Sequence, residues 1–359
     1  MDDPVVCLEF FSGIGGLHYG FEQSGIPGTV AMAFDMNENA NTVYEHNFGL
    51  RPNNRAIDYL ETADIDKYSA NCWLLSPPCQ PYTRGGKYLD DEDDRARGLI
   101  HLIEMLPKLR NVPRYVFLEN VMNFENSQSR TRLVETLGTL GFEVNECLVS
   151  PVQMGVPNNR LRYFLIAQRR WAADDVENAA RTTKYLARGA DAVHKDWPFG
   201  PAVKSIDAVC AIPLSSYIDA SLDAVESLRV PQSAILKRQR LEFDIVRASS
   251  AQTSTFTKSY GSRNLIGSGS LLQTRNLDVV ENGFGAPERL LDLGIRFFSP
   301  KEVALLHHFP YRAADSPVAD GRHYLGFPAS LTQRQQLQLL GNSLNVKVVA
   351  ELIRHILFA

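Results

Sequence analysis

The sequence lacks the features that mark secreted, metal-stapled and membrane-spanning proteins. Its five cysteines are scattered over 359 residues and form no Cys-x-x-Cys pair, which argues against a disulfide framework and a structural zinc site. We therefore expect no metal and a reducing, intracellular compartment, the cytoplasm with the nucleus as an addition. No apolar run reaches about 18 residues, so we expect no membrane span. The formal net charge of −4 argues against a broadly basic surface, so a nucleic-acid site would be a local basic patch.

A proline-rich turn at residues 76–80 (SPPCQ) follows the apolar run 72–75 (CWLL). Because proline cannot continue a helix and has no N–H for a strand ladder, Cys79 is predicted to lie on a rigid elbow at a strand end. Open α/β sheets place their reactive groups at such ends. A thiol there becomes a nucleophile when its pKa is lowered, and the alternative is a small buried structural residue.

The N-terminal segment predicts a site for a cofactor that contains a nucleoside. A buried strand at 5–10 leads into the glycine loop 11–16 (FSGIGG) and then into a helix, where a ligand can approach bare backbone. A second strand ends at Asp35, about 20 residues past the glycines, where an acid suits ribose hydroxyls. The dinucleotide pattern G-x-G-x-x-G is not met, because His18 replaces the third glycine, and this disfavours NAD. A structural turn with a capping aspartate is the alternative.

Two further acids follow predicted strands. The segment 56–59 resembles the end of a third strand, which would let Asp58 meet an adenine amino group, although a solvated turn aspartate fits equally. Glu119 follows the buried strand 115–118 and should lie at the same sheet edge as Cys79. A surface acid that caps the next element is the alternative for Glu119.

Arginines and a charged loop complete the candidate groups. Arg160 and Arg162 alternate at the start of the strand 161–167, so they are predicted to share one face, where they coat the surface or hold an anion or a base. The loop 82–97 is polar and contains glycines, as expected of a lid over a site. Its acidic run 90–94 is more typical of a solvated charge run than of a metal site.

The order of elements predicts an α/β fold with a doubly wound, mostly parallel, Rossmann-like sheet, since strands alternate with helices up to residue 168. Periodicity weakens between residues 171 and 298, which indicates a second, smaller domain. We therefore assign residues 1–170 with 299–359 to one domain and residues 171–298 to a second, smaller domain. Within the latter, residues 254–261 interleave basic and aromatic side chains, as single-stranded nucleic-acid sites do, although a plain loop has a similar composition.

Five motifs stand in the order found in the cytosine carbon-5 methyltransferases, which the chain resembles. They are FFSGIGG at 10–16, PPCQ at 77–80, ENV at 119–121, RLR at 160–162 and GNS at 341–343. The resemblance is closer to the Dnmt2 (type-two) branch, whose members methylate tRNA. That likeness is carried by PYTR at 81–84, NRLRY at 159–163, FTKSYG at 256–261 and GNSLNV at 341–346. The branch usually has Cys-Phe-Thr in its second domain, and Thr255 replaces that cysteine here.

The resemblance implies a methyltransferase fold that binds S-adenosylmethionine and releases S-adenosylhomocysteine. It also implies that residues 1–170 with 299–359 form the catalytic domain and that residues 171–298 serve target recognition. Cys79 would be the nucleophile, Glu119 the hydrogen-bond partner of the cytosine ring, and Arg160 and Arg162 would steady the base and favour the thiolate. The implied cofactor residues are Phe11, Ser12, Ile14, Gly15, Gly16, Leu17, Asp35, Met36, Asp58, Tyr59, Ser76, Pro78, Asn342 and Ser343. The candidate substrate residues are Arg84, Lys87, Lys237, Arg240, Phe256, Thr257, Lys258, Tyr260 and Arg263.

The substrate implied by the resemblance is a tRNA cytosine at anticodon-loop position 38, that of aspartate tRNA, with weak or absent activity on DNA. We expect a monomer. A DNA cytosine-5 methyltransferase is the first rival interpretation, because the catalytic motifs are shared. A catalytically silent RNA-binding module is the second, although the intact Cys79 and Glu119 argue against it. A nicotinamide oxidoreductase is the third, and His18 at the third glycine position disfavours it.

Overall fold

The computed structural model describes residues 4–82, 90, 93–169, 193–195, 197, 212–262, 265–311 and 322–358. The chain divides into two compact units. The first unit comprises Met1–Val149, Leu161–Lys204 and Val346–Ala359, and the second unit comprises Ser150–Arg160 and Ser205–Asn345. These bounds differ from the predicted division, because residues 150–160 and 299–345 pack within the second unit. The functional assignment of the two domains stays a prediction.

A mixed sheet forms the centre of the first unit, with the strand order β2-β1-β3-β4-β6-β5 among the described residues. The strands are β1 (Val5–Phe10), β2 (Gly28–Phe34), β3 (Cys72–Leu75), β4 (Tyr115–Val121), β5 (Phe142–Val149) and β6 (Arg162–Arg169). Strands β1 to β4 run parallel, whereas β6 pairs antiparallel with both β4 and β5. The predicted α/β fold with a mostly parallel sheet is confirmed.

Helices connect the strands and flank the sheet. In the first unit they are α1 (Gly16–Ser24), α2 (Glu38–Phe48), α3 (Thr62–Asp66), α4 (Arg97–Met105) and α5 (Gln128–Thr139). The second unit contributes α6 (Gln232–Leu236), α7 (Pro300–Leu306) and α8 (Gln333–Gly341), and α9 (Val346–Leu352) returns the chain to the first unit. The sequence predicts a helix start at Pro300, because the fixed φ angle of proline suits a first turn, and helix α7 does begin there, after a Ser299 cap.

Register within the sheet brings three loops to one edge. Phe10, Leu75 and Leu118 lie side by side at the ends of β1, β3 and β4. All four residues of β3 are buried, as expected for a parallel strand covered on both faces. The glycine loop, the proline elbow and Glu119 each follow one of these aligned positions, so the same sheet edge carries all three.

The predicted third strand end at residues 56–59 is wrong. Ile57–Tyr59 instead form a single turn of 3-10 helix. The nearest bridge to the sheet joins Asn53 to Phe34 before this segment begins, and the chain then turns away. One bridge is too little pairing to extend a ladder, so the apolar Ile57 is buried by a turn instead of a strand.

The last helix packs on the first. A Cβ atom on Gly20 in α1 would lie 2.3 Å from Cγ1 of Val349 in α9, so only glycine allows this approach. The Arg354 guanidinium then donates to the carbonyls of Ser24 and Gln23 at the end of α1. The helix that follows the glycine loop is therefore held in place by the final segment of the chain.

The second unit has a core of aromatic rings and few regular elements. Phe256 makes edge contacts with Tyr260 and Phe298, at centroid distances of 4.8 and 5.3 Å. A Cβ atom on Gly341 would lie 2.2 Å from the Thr257 carbonyl carbon, so the end of α8 lies directly on this segment. These contacts explain why residues 299–345 belong with the second unit. Its only strands in the described residues are the short pair β7 (Ile245–Val246) and β8 (Leu271–Leu272).

The described residues contain no candidate for a membrane-spanning helix or for a metal centre. No helix there is both long enough and apolar enough to cross a membrane. Nor do three or more histidine, cysteine, aspartate or glutamate side chains converge there in a way that could hold a metal ion.

Candidate active site

Hydrogen bonds from two neighbouring strands fix the elbow that carries Cys79. The Ser76 hydroxyl donates to the Phe11 carbonyl at 2.9 Å, and the Asn120 amide donates to the Pro77 carbonyl at 3.2 Å. Pro77 and Pro78 have no backbone N–H that would need a partner, so these two bonds hold the turn without the hydrogen-bond ladder of a strand. Cys79 is a free thiol and is half-buried. The predicted rigid elbow at a strand end is confirmed in its geometry.

Glu119 and Arg162 face each other on adjacent strands. Val121 of β4 pairs with Arg162 of β6, and Glu119 lies two residues earlier on the same face. The Arg162 Nε atom is 3.5 Å from Glu119 Oε1, and both side chains are largely buried. Burial lowers the pKa of Arg162, and the acidic groups of Glu119 and Cys79 act in the opposite direction. The Arg162 guanidinium therefore lies within electrostatic reach of both the Glu119 carboxyl and the Cys79 thiol.

Arg160 does not share a strand face with Arg162. It precedes β6, belongs to the second unit and is 3% exposed. Its guanidinium donates to the carbonyls of Phe256, at 3.0 Å, and Ser343. This part of the prediction is wrong because the strand begins at Arg162, two residues later than the alternation assumed. The main-chain contacts give Arg160 a structural role inside its unit, and a catalytic role for it stays a prediction.

Arg95, in the charged loop, is a second cation that interacts with Cys79. Its role is not apparent from the sequence. Its guanidinium makes two bonds to the Asp93 carboxylate, at 2.8 and 2.5 Å. The hydrogen bond to Asp93 is the main cause that raises the pKa of Arg95, and the acidic group of Cys79 adds to it. The Asp-x-Arg spacing was the available signal, but composition alone could not separate Arg95 from its charged neighbours.

Asp35 ties the glycine loop to the end of β2. Its two carboxylate oxygens accept hydrogen bonds from the Gly13 and Asn37 amides, each at 2.8 Å. Burial raises the pKa of Asp35, and these two amide bonds oppose the shift. Gly13 and Gly15 adopt left-handed φ angles of 53° and 86°, which glycine tolerates without strain. Asp35 therefore shapes the loop, and a contact with ribose stays a prediction.

The residues present fit a nucleoside cofactor with a polar arm. The Ser12 hydroxyl is buried in the glycine loop and has no hydrogen-bond partner among the described residues. Beside the sheet edge, the apolar side chains of Met36 and Tyr59 are 65% and 67% exposed, as expected of surfaces that a flat ring covers. Asp58 is half-buried in the same 3-10 turn as Tyr59. An unused buried donor and exposed apolar flanks together suit S-adenosylmethionine.

The other predicted cofactor residues divide between the units. In the first unit Ile14, Gly15, Gly16 and Leu17 are buried, and Phe11, Ser76 and Pro78 are half-buried. Asn342 and Ser343 belong to the second unit, where they follow α8. Their predicted role in cofactor binding stays a prediction.

Two predicted substrate residues are in the wrong place for that role. Phe256 and Tyr260 are 0% and 1% exposed, so neither ring can stack on a nucleotide base. The Tyr260 hydroxyl donates to the Ser270 carbonyl at 2.7 Å and accepts from the Phe298 amide at 2.8 Å. The interleaved aromatic residues thus form a core, and the site prediction for these two is corrected.

The remaining substrate residues vary in accessibility. Lys237, Arg240 and Lys258 are exposed on the second unit, and Thr257 is half-buried. Arg84, Lys87 and Arg263 lie outside the described residues. Thr255, which replaces the usual branch cysteine, donates its hydroxyl to the Asn159 carbonyl at 2.7 Å. A hydroxyl is a better donor than a thiol, so threonine serves that contact well.

The sequence matches the family model described as C-5 cytosine-specific DNA methylase over residues 5–357. The tRNA (cytosine(38)-C(5))-methyltransferase of Homo sapiens is 34% identical over 98% of this chain and 99% of its own length. The DNA (cytosine-5)-methyltransferase of Dictyostelium discoideum is also 34% identical, over 98% of this chain and 94% of its own.

Solved structures agree with the sequence comparison. A mutant of Spodoptera frugiperda DNMT2 superposes with a TM-score of 0.78 at 34% identity, covering 99% of this chain and 100% of that one. Schizosaccharomyces pombe Dnmt2 gives a TM-score of 0.73 at 29% identity, covering 99% of both chains. A full-length family match, the Cys79 elbow and this fold agree, and the chain belongs to the C-5 cytosine-specific DNA methylase family, in its Dnmt2 branch.

Proposed function

We propose that this protein transfers a methyl group from S-adenosylmethionine to carbon-5 of cytosine 38 in tRNA, that of aspartate tRNA. The single observation that supports the chemistry best is the free Cys79 thiol on its fixed elbow, in electrostatic reach of Arg162, whose guanidinium also contacts Glu119. The tRNA substrate is supported by two relatives, from Homo sapiens and Schizosaccharomyces pombe, which are both named tRNA (cytosine(38)-C(5))-methyltransferase. Such a substrate is consistent with the cytoplasm and the nucleus as compartments.

The proposed reaction begins at Cys79, because carbon-5 of cytosine is too electron-poor to attack a methyl group. The Cys79 thiolate adds to carbon-6 and forms a carbon–sulfur bond, which makes carbon-5 nucleophilic. The bound cofactor supplies an electrophilic methyl group. After transfer, a proton leaves carbon-5 and the carbon–sulfur bond breaks, which restores both the aromatic ring and the thiol.

Arg162 and Glu119 have separable roles in this scheme. The Arg162 guanidinium favours the charged thiolate before attack, because opposite charges in a partly desolvated site attract strongly. Glu119, when protonated, donates a hydrogen bond to ring nitrogen N3, where negative charge develops. Arg162 also orients the Glu119 carboxyl through their 3.5 Å contact.

An RNA loop is a better substrate than a duplex on energetic grounds. The target base must leave its stack to reach Cys79, and an anticodon-loop base costs less to extrude than a paired one. The exposed cations Lys237, Arg240 and Lys258 can contact phosphates even though the net charge is −4. The second candidate function is DNA cytosine-5 methylation, which the Dictyostelium discoideum relative favours.

The test compares labelled methyl incorporation into aspartate tRNA, the same tRNA with cytosine 38 replaced, and duplex DNA. We expect incorporation into the first substrate alone, and none with a Cys79→Ala variant that still binds S-adenosylhomocysteine. Faster methylation of DNA, or undiminished incorporation after cytosine 38 is replaced, would overturn the tRNA assignment. Full activity of the Cys79→Ala variant would overturn the covalent mechanism.

A further inference from the structure

Glu9 is a fully buried carboxyl that no proposed catalytic step uses. It lies on β1, two residues before the glycine loop, and is 0% exposed. Its Oε1 atom accepts a hydrogen bond from the His18 amide at 3.3 Å, and its Oε2 atom lies 2.7 Å from the Tyr44 hydroxyl. The Leu17 amide contributes as well. Since Leu17 and His18 are in the first turn of α1, Glu9 satisfies amides that a capping side chain would otherwise bind.

The contacts of Glu9 continue through both helices that flank the glycine loop. The Tyr44 hydroxyl of α2 is 2.8 Å from His18 Nδ1 of α1, and His18 Nε2 is 3.5 Å from the Glu22 carboxylate. The imidazole ring of His18 also stacks on Phe48, with centroids 3.9 Å apart and planes 8° apart. We call Glu9, Tyr44 and His18 the Glu9 network.

The network determines where Gly15 of the cofactor loop can lie. A Cβ atom on Gly15 would be 2.4 Å from the Phe48 ring, the same ring that stacks on His18. A displacement of His18 would therefore remove the ring on which Phe48 stacks beside Gly15. His18, which replaces the third glycine of the dinucleotide pattern, thus supports the loop through the Phe48 ring.

When Glu9 is neutral, each contact of the Glu9 network has one donor and one acceptor. Burial raises the pKa of Glu9 to about 8, although its bonds to Tyr44 and the amides lower it, and the charge of Asp35 raises it further. In the neutral state Glu9 donates to Tyr44, Tyr44 donates to His18 Nδ1 and His18 Nε2–H is directed at Glu22, whereas with an ionised Glu9 the Tyr44 hydroxyl is the donor to Oε2. The other titratable groups that face this region are Cys7 on β1 and Tyr19 on α1, and burial raises the pKa of each.

Ionisation of Glu9 reverses its bond with Tyr44 and the bond between Tyr44 and His18, while the His18 amide donates to Glu9 in either state. The Tyr44 hydroxyl must then donate to the Glu9 carboxylate, so it can no longer donate to His18. His18 must carry its proton on Nδ1, and either loses the Nε2 proton that faces Glu22 or becomes a buried cation. The first outcome breaks the contact between His18 and Glu22 within α1, and the second places a positive charge in the first turn of α1, where the helix dipole disfavours it.

We propose that neutral Glu9 is a positioning residue that holds the cofactor loop, residues 12–16, in its binding form. The proposal rests on the proposed function, because it takes S-adenosylmethionine and its product as the ligands. Cofactor affinity should then fall as pH rises through the ionisation of Glu9. Glu9→Gln should keep the affinity and remove the pH dependence, since a carboxamide donates to Tyr44 and accepts from the His18 amide at every pH.

The test measures S-adenosylhomocysteine binding by calorimetry, from roughly 1.5 pH units below to 1.5 above the pKa of Glu9. We expect wild-type affinity to fall by about three- to tenfold over this range, and Glu9→Gln to stay constant. Glu9→Leu should bind about tenfold more weakly throughout. The matched control is Glu146→Gln, which removes another buried carboxyl of the same sheet and should keep the wild-type pH profile.

A folded Glu9→Leu protein with wild-type affinity, or a Glu9→Gln protein with the wild-type pH dependence, would overturn the proposal. Wild-type protein that binds no S-adenosylhomocysteine at any pH would instead overturn the cofactor assignment. Hydrogen exchange of the Gly15 to His18 amides in the ligand-free protein then decides the positioning role. Above the pKa of Glu9 it should be faster in the wild type than in Glu9→Gln, and equal rates would overturn the proposal.

Discussion

At the scale of single residues, the candidate site depends on a thiol that interacts electrostatically with two guanidinium groups. Arg162 is buried beside Glu119, whereas Arg95 is exposed and held by Asp93. A buried charge acts through less solvent than an exposed one, so Arg162 should influence Cys79 more strongly. The two arginines therefore allow the effect of a largely buried cation on Cys79 to be compared with that of an exposed one.

We predict that Arg162→Gln slows the alkylation of Cys79 by iodoacetamide about tenfold at neutral pH, because the cation favours the reactive thiolate. Arg95→Gln should slow it by about threefold or less, since solvent screens an exposed charge. Peptide mass spectrometry can follow Cys79 separately from the buried thiols Cys7, Cys72 and Cys147. Equal alkylation rates in the wild type and Arg162→Gln would contradict the assigned role.

Glu119→Gln should slow methyl transfer far more than it weakens RNA binding. The carboxamide can still donate to ring nitrogen N3, but it cannot exchange a proton as charge develops there. Single-turnover rates and RNA dissociation constants, measured on one preparation, separate the two effects. A rate within about twofold of the wild type would limit the contribution of that carboxyl to ~0.4 kcal/mol.

Glu9 also predicts how stability depends on pH. Its pKa rises from 4.5 to about 8 on folding because the carboxyl is buried. An acid with a raised pKa stabilises the fold fully below the unfolded value and loses that contribution as pH rises to the folded value. The free energy of unfolding of the wild type should therefore fall relative to Glu9→Gln between pH 4.5 and about 8, by up to ~1.4 kcal/mol per pH unit. Urea unfolding at several pH values checks this, and parallel curves would count against it.

At the scale of elements, the approach of α1 to α9 depends on one glycine. Gly20→Ala should lower the free energy of unfolding by about 1–3 kcal/mol, because the added methyl meets Val349 at 2.3 Å. Gly138→Ala is the matched control, since it lies in α5 with nothing within 4 Å and should be neutral or stabilise by about 0.5–1 kcal/mol. Recovery of stability in Gly20→Ala with Val349→Ala would identify the clash, and an unaffected Gly20→Ala would exclude it.

The elements that the sequence predicted are those whose pattern is local. The apolar strand β3 and its proline elbow, the glycine loop and the Ser299–Pro300 helix start all follow from adjacent residues. The segment 56–59 failed because a strand needs a neighbour to pair with, and that neighbour is not visible in four residues. Arg160 failed for a related reason, since the carbonyls it binds, of Phe256 and Ser343, are remote in sequence.

Burial of the aromatic residues in the second unit could not be predicted from composition. A stretch that mixes Phe256, Lys258 and Tyr260 suits a nucleic-acid surface and a core equally well. Its outcome depends on Phe298 and Ser270, which meet those rings only after folding. The Glu9 network was missed for the same reason, because its members come from one strand and two helices.

At the scale of the whole molecule, RNA affinity should depend on a few exposed cations and not on net charge. Removal of Lys237, Arg240 or Lys258 by alanine substitution should reduce the slope of log affinity against log salt by about one unit or less each. Filter binding of tRNA at several salt concentrations gives this slope. Lys301→Ala is a suitable control, because Lys301 pairs with Asp219 at 3.3 Å. An unchanged slope in the triple variant would place the phosphate contacts elsewhere.

The return of the chain to its first unit has a consequence for synthesis on the ribosome. Residues 346–359 are translated after the whole of the second unit, yet they include α9, on which α1, the helix that follows the glycine loop, packs. A nascent chain that has passed residue 204 therefore holds most of the sheet but lacks the support for its cofactor loop. Domains usually fold in the order of their translation, N-terminal first. Here the earliest part of the protein completes its folding last, so S-adenosylmethionine should stabilise only chains that have already acquired α9.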